Sequence, residues 1–300
     1  MIERITAQMT SQSTVSNLEG DLYALTTTEN QLSSGKKINQ PSDDPYGTSV
    51  VLKLNSDLSA QNTYQNNITD GTNWLNTASG ALSNIDTMVA RVRELAVEGA
   101  NGTNSQTDDQ DAAAEVNQLI DQIKQSANTT YAGNYVFGGT DTSTAPYQAG
   151  STDTYQGNSG TITREIGPND SVQVNSNLES VLGNGSGDGL LLSNLRQIAT
   201  DLSSGNGSAL SASDLSNLDA STSSLTQLQS GVGALTNRLT LASARVSSTQ
   251  SADNTELAST QDVNMATAAT NYSTESAAYQ AALQAGAKII QESLVNFIQA

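Results

Sequence analysis

The sequence predicts a mainly α fold: an elongated helical bundle or coiled-coil rod built from both chain ends, with a small β-rich domain inserted at its tip. Three observations carry this. Apolar residues recur at alternating three- and four-residue spacing over long stretches of both halves of the 300-residue chain, the period that keeps one helical stripe turned toward a partner. Between 131 and 187 that period gives way to short alternating runs separated by Gly, Asn and Pro, as in strands joined by turns. Beyond 190 the helical period returns, so the helices of the two halves are expected to nest.

The first element is a helix over 1–34, with Val15, Leu18, Leu22, Leu25 and Leu32 on one stripe. Gly35 is placed to end it as a left-handed cap, with Lys36 and Lys37 near the negative end of the dipole and Pro41 blocking continuation. Asp43 and Asp44 read as capping residues for a second helix that starts with Pro45 in its first turn, where the missing N–H costs nothing. That helix carries Leu54, Leu58 and Tyr64, then Ile68, Gly71, Leu75, Ala78, Leu82, Ile85, Val89, Val92 and Ala96 on a strict ladder. A turn-rich loop is expected at 101–109, and a shorter helix with Ala113, Val116, Ile120, Ile123 and Ala127 returns along the second. Trp74, the single tryptophan, reads as a packing residue.

Strands are expected at Tyr135–Phe137, Thr161–Ile166 and Ser171–Val174. Helix resumes over 190–203, and a long ladder follows through Leu218, Leu225, Val232, Leu239 and Val246, with Leu228, Leu235 and Ala242 in a second register. Gly231 and Gly233 inside it cost about 1 kcal/mol each relative to Ala, which implies tight packing or bending there. The ladder fades over 253–261. The last forty residues then carry Tyr272, Tyr279, Leu283, Gly286, Ile290 and Phe297 on one stripe, with alanines all round and only Glu275 and Lys288 charged between 263 and 291. A helix that is small and neutral on every side expects neighbours on several sides. The outer helices are therefore read as an assembly domain (1–44 with 259–300), the inner ones as a bundle (45–135 with 188–258), and 136–187 as the insertion. With so little large apolar surface, the outer pair is expected to be largely disordered in the free subunit and to fold on assembly. A 50-residue ladder spans ~75 Å, which makes the expected molecule a rod.

Composition narrows the function. Only 14% of residues are charged, yet 30 acids against 12 bases leave a formal charge of -18, which repels phosphate and argues against a nucleic-acid partner. Cysteine and histidine are both absent, removing disulfides, thiolate and imidazole ligands, and the commonest nucleophile and general base. Gly138 and Gly139 lack the lysine and helix start of a phosphate loop. Asp141, Asp153, Asp170 and Asp188 lack calcium-loop clustering. The N-terminus has no apolar core of a cleaved signal, and no apolar run is long enough to span a membrane. No enzyme, cofactor, metal, membrane or small-molecule substrate is expected.

The segments QLSSGKKINQPSDDPYG (31–47) and RVRELAVEGANGTNS (91–105), with the low-charge C-terminal helix, resemble the flagellin superfamily of bacterial axial proteins. Within it PSDDP, GNYVFGGTDTSTAPY (133–147) and the ending SLVNFI are most similar to the hook–filament junction branch. Asn264, Ala266 and Thr267 depart from that branch, which often carries Asp and Glu there, and the departure touches only a local polar contact. The resemblance implies a structural component of the bacterial flagellum, exported by the type III apparatus without a cleaved signal and escorted by an export chaperone. It implies incorporation as a ring of its own copies between hook-associated protein 1 and the first flagellin layer, with the terminal helices lining the axial tube. Alternatives are a flagellin or minor filament subunit and a secreted coiled-coil adhesin whose β tip binds a surface.

Overall fold

The computed structural model describes the backbone of residues 7–298 except 103, 151 and 186, and side chains except at 7, 8, 10 and 289–298. It is mainly α, with long helices from both ends and two small two-stranded sheets in the middle region. The chain divides into two compact units, 1–60 with 249–300 and 61–248.

In the unit of residues 1–60 and 249–300, helix α1 (Ala7–Ser34) ends as its sequence requires: Gly35 sits at φ 73° and its N–H donates to Gln31 O at 2.9 Å. Helix α2 (Pro45–Ala100) begins at Pro45, and Asp44 Oδ1 accepts from Gly47 N at 2.9 Å. Gly47 is required for this cap, because a Cβ there would run into the Asp44 carboxylate and Ile38. Asp43 does not cap the helix. Its Oδ2 accepts from Asn39 N and Gln40 N at 2.9 and 3.0 Å, closing the preceding turn, and these bonds lower its pKa from the ordinary carboxylate value.

The unit of residues 61–248 holds the main core. Ile68, Leu75, Leu82, Ile85, Val89, Val92 and Ala96 of α2 are buried on the expected ladder. They pack in one cluster with Val116, Ile120 and Ile123 of α3 (Gln106–Ala127), Leu195, Ile198 and Leu202 of α5 (Leu191–Ser203), and Leu218, Leu225, Val232 and Leu239 of α7 (Leu215–Gln261). Gly71 makes one close approach possible, since a Cβ there would meet Val174 Cγ1 at 2.9 Å and Leu239 Cδ1 at 3.2 Å. Trp74 is buried and meets Tyr131 edge-on at 6.0 Å, a packing role as its sequence context indicated.

The helices differ from the sequence reading in further details. Helix α3 starts earlier than a loop to 109 allows, because Ser105 and Asp108 form a reciprocal capping box. Helix α7 continues unbroken to Gln261, through the stretch where its ladder fades. Gly231 and Gly233 face open space, and a methyl added at either would meet nothing within 4 Å, so tight packing is not their reason.

The β-rich region contributes to the same core rather than building its own. Strands β1 (Thr130–Tyr131) and β2 (Asn134–Tyr135) form a hairpin whose turn residues Ala132 and Gly133 both have positive φ, the geometry that matches strand twist. Strands β3 (Thr163–Gly167) and β4 (Asp170–Gln173) form a second antiparallel hairpin with a bulge between Glu165 and Gly167. Val136 and Phe137, expected in a strand, lie just past β2 and bury their side chains fully in the core with Tyr147, Val172, Leu178 and Leu182. A short helix α4 (Glu179–Leu182) precedes α5, and α6 (Gly207–Ala209) passes through a π-helical turn at Leu210–Asp214 into α7.

Two buried polar groups hold these parts. Lys124, 1% exposed, donates to Gly150 O, Thr152 O and Asp153 Oδ1 at 2.6, 2.9 and 3.1 Å. Asp153 also accepts from Arg196 Nε at 3.0 Å. Burial opposes ionisation of this carboxyl, and the bonds from Arg196 and Lys124 outweigh it and lower its pKa. Asp201 accepts from Gln197 Nε2 and Asn206 Nδ2, beside Asp214, whose buried Oδ2 has no hydrogen-bond partner. Burial, then the neighbouring Asp201 carboxyl, raise the Asp214 pKa from 3.8.

Candidate assembly surface

The terminal helices pair. Helix α8 (Met265–Ile298) starts after a three-residue break, and Asn264 caps it, its Oδ1 accepting from Ala266 N and Thr267 N at 3.1 and 3.2 Å. The break itself is stitched to the end of α1. Lys37 N donates to Gln261 O at 2.7 Å, Val263 N to Gly35 O at 3.0 Å, and Lys36 and Asp262 form an isolated antiparallel bridge. The short links after α1 and before α8 are thus one joint.

From that joint α1 and α8 run antiparallel. Thr28 lies opposite Glu275, its Oγ1 donating to Oε2 at 2.6 Å. Farther along, Gly286 is buried, and a Cβ there would touch Thr14 Cγ2 at 3.2 Å and Leu18 Cδ1 at 3.5 Å. Alternating small residues let the two backbones approach.

The predicted stripe residues are brought together only in part. Leu18, Leu25, Leu32 and Tyr279 are half-buried. Val15, Leu22, Tyr272 and Leu283 stay 47%, 46%, 37% and 44% exposed. The side chains of Ile290 and Phe297 lie outside the described residues. Met9, Tyr23, Tyr46, Leu52 and Met265 are more exposed still and belong to residues 1–60 or 249–300, while in residues 61–248 Leu241 is 73% and Val97 37% exposed. In that unit the buried apolar side chains among the described residues are Ile38, Val51, Leu54 and Ala268 alone. A pair of helices offers each stripe one neighbour, so apolar residues that straddle the stripe's edge remain in water.

Among the described residues no group of three His, Cys, Asp or Glu could hold a metal ion. No helix of the described residues is long and apolar enough to cross a membrane. The buried phenols are structural: Tyr147 Oη donates to Gly183 O and Tyr155 Oη to Phe137 O, each at 2.7 Å. Burial, with Glu179 and Asp141 nearby, pushes the Tyr155 phenol up to about 12. Asp141, Asp170 and Asp188 are likewise occupied, by Ser143 N, by Arg238 and Arg245, and by Asn184 N and Leu190 N. A surface groove at the end of α2, lined by Ala90, Arg93, Glu94, Val97, Glu98 and Asn101, presents carboxylates and a guanidinium but no hydroxyl, thiol or amine nucleophile.

The sequence reading missed Thr28, Glu275 as its partner, and Asn264 as a cap. Asn264 had a local signal, an Asx residue just before a helical run. Thr28 had none, because its partner is 247 positions away.

Comparison with known proteins agrees with this architecture. The bacterial flagellin N-terminal helical region matches residues 5–142 and the C-terminal helical region residues 215–298. A flagellin of Salmonella muenchen is 35% identical over 130 residues, 43% of this chain and 26% of that protein. A flagellin of Clostridium tyrobutyricum is 39% identical over 100 residues, 33% of this chain and again 26% of the relative. The chain thus spans about a quarter of the length of these curated relatives. Among solved structures, FlgL of Bacillus cereus aligns with a TM-score of 0.59 at 21% identity, over 69% of this chain and 99% of that one. The flagellar hook-associated protein-3 of Legionella pneumophila aligns with a TM-score of 0.59 at 15% identity, over 69% and 98%. Matched at both helical ends and sharing the fold, the chain belongs to the flagellin superfamily.

Proposed function

We propose that the chain is a structural subunit of the bacterial flagellum that acts as the hook–filament junction protein, the role named by hook-associated protein 3 and FlgL. The observation that supports this is the division of labour in the fold. Residues 61–248 bury an extensive core of their own, whereas the terminal helices leave Val15, Leu22, Tyr272 and Leu283 partly in water. Such a surface gains free energy only when another molecule covers it. On this reading Val15, Leu18, Leu22, Leu25, Leu32, Tyr272, Tyr279, Leu283, Gly286, Ile290 and Phe297 form the assembly interface. Its partners are copies of the same chain in a ring, hook-associated protein 1 on one side and flagellin on the other, with an export chaperone before assembly. The protein works outside the cell, exported and built into the axial structure, and its work is mechanical rather than catalytic.

A second reading, a flagellin or minor filament subunit, is favoured by the curated relatives, which are flagellins. Seeded polymerisation separates the two. Purified chain added to hook or filament seeds should add a layer of fixed length as a junction protein, and growth of long filaments would establish the flagellin reading instead. Removing 281–300 should abolish addition to seeds while leaving the unfolding of residues 61–248 unchanged.

A further inference from the structure

We propose that the Thr28–Glu275 hydrogen bond sets the register in which α1 and α8 pair. Beyond the joint at residues 35–37 and 261–263 and the close approach at Gly286, the pairing surface is poor in information. Alanines surround α8, and positions 268 and 282, one heptad before and after Glu275, are both alanine. A stripe of small residues can slide by a heptad and find nearly the same surface, whereas a single polar pair at a stripe position makes one alignment different from its neighbours. Thr28 and Glu275 have that character. Thr28 is 6% exposed and Glu275 is half-buried. Their 2.6 Å separation is that of a charge-assisted bond, shorter than the 3.1 Å from the same hydroxyl to Ala24 O, so the single hydroxyl proton is directed to the carboxylate.

Each heptad slip loses this bond in a different way. Sliding one way sets Thr28 against Ala268 and Glu275 against Asp21, a like-charged neighbour. Sliding the other way sets Thr28 against Ala282 and carries Glu275 to Gly35, past the end of α1. Register matters for the assembly reading, on which this consequence rests, because it decides which of Val15, Leu22, Tyr272 and Leu283 lie side by side.

The absence of cysteine makes a clean test available in the full-length chain. Thr14→Cys with Gly286→Cys reports the observed register, since a Cβ at 286 falls 3.2 Å from Thr14 Cγ2, close to disulfide spacing. Asp21→Cys with Gly286→Cys reports the register shifted by one heptad. In the otherwise unaltered chain the first pair should cross-link and the second should not. Thr28→Val, which keeps shape and removes the hydroxyl, should move the ratio of the two cross-links toward the shifted pair by roughly tenfold. Thr28→Ser and Glu275→Gln, which retain a donor and an acceptor, should hold the original ratio. An unchanged ratio in Thr28→Val overturns the proposal. So does a shift in Glu275→Gln as large as that in Thr28→Val, or loss of both cross-links, which would make the bond a clamp rather than a register key. The readout uses the isolated chain, so its failure leaves the junction reading untouched, and failure to add to seeds leaves the register untouched.

Discussion

The same leucine-to-aspartate change placed at Leu75 and at Leu283 should have opposite consequences. Leu75 is 0% exposed in the core of residues 61–248. Its replacement forfeits about 2–3 kcal/mol of burial and places a carboxylate where it has no partner, a further cost of several kcal/mol. The sum is comparable to the whole stability of an ordinary domain, roughly 5–15 kcal/mol, so Leu75→Asp should not fold. Leu283 is already 44% exposed, so Leu283→Asp costs the isolated chain only about 1 kcal/mol, drawn from the terminal pair. In an assembled layer the remaining surface of Leu283 would be covered, and the introduced charge would then carry the full desolvation cost. Urea unfolding followed by Trp74 fluorescence is the suitable assay, because this single tryptophan is 4% exposed and packs on Tyr131. Leu283→Asp should leave that midpoint nearly in place and fail to add to seeds. A loss above about 2 kcal/mol at the Trp74 transition, or normal addition to seeds, would refute the separation of core from assembly surface.

Two further outcomes follow from individual residues. Because the Asp214 pKa is raised from 3.8, the protonated acid is the form the fold prefers; its contribution is fully present below that value and is lost as pH rises through the raised one. Asp214→Asn supplies a donor to Asp201 at every pH, so it should be more stable than the parent near neutrality by about 1–3 kcal/mol and converge with it below about pH 4; urea midpoints that run parallel from about pH 4 to 8 would contradict this. Gly231→Ala places a methyl in open space and should stabilise the isolated chain by about 0.5–1 kcal/mol, measured as a rise in the thermal midpoint.

The helices were legible because their signal is local and repeated. Each position of the ladder from Ile68 to Ala96 is set by its neighbours three and four residues away, and Gly35, Asp44 and Pro45 act within one turn of themselves. Residues whose meaning depends on distant partners were not legible. Lys124 meets Asp153 across 29 positions and Arg196 meets it across 43, distances at which sequence spacing carries no information. Gly231 was misread for a different reason: a glycine in a helix is written alike whether it admits a neighbour, as Gly286 does, or faces water. The apolar stripe of the terminal helices was visible, but how much of it a single partner helix covers depends on the crossing geometry, which residues alone do not specify.

The ammonium of Lys124 limits how the middle of the chain can be exchanged. Two of its three acceptors are main-chain oxygens, and the third is the Asp153 carboxylate, all from 150–153. Grafting a foreign epitope in place of these residues would leave a buried positive charge without its acceptors. A tolerated graft must bring its own acid and carbonyls to that spot, or come with an apolar residue replacing the lysine.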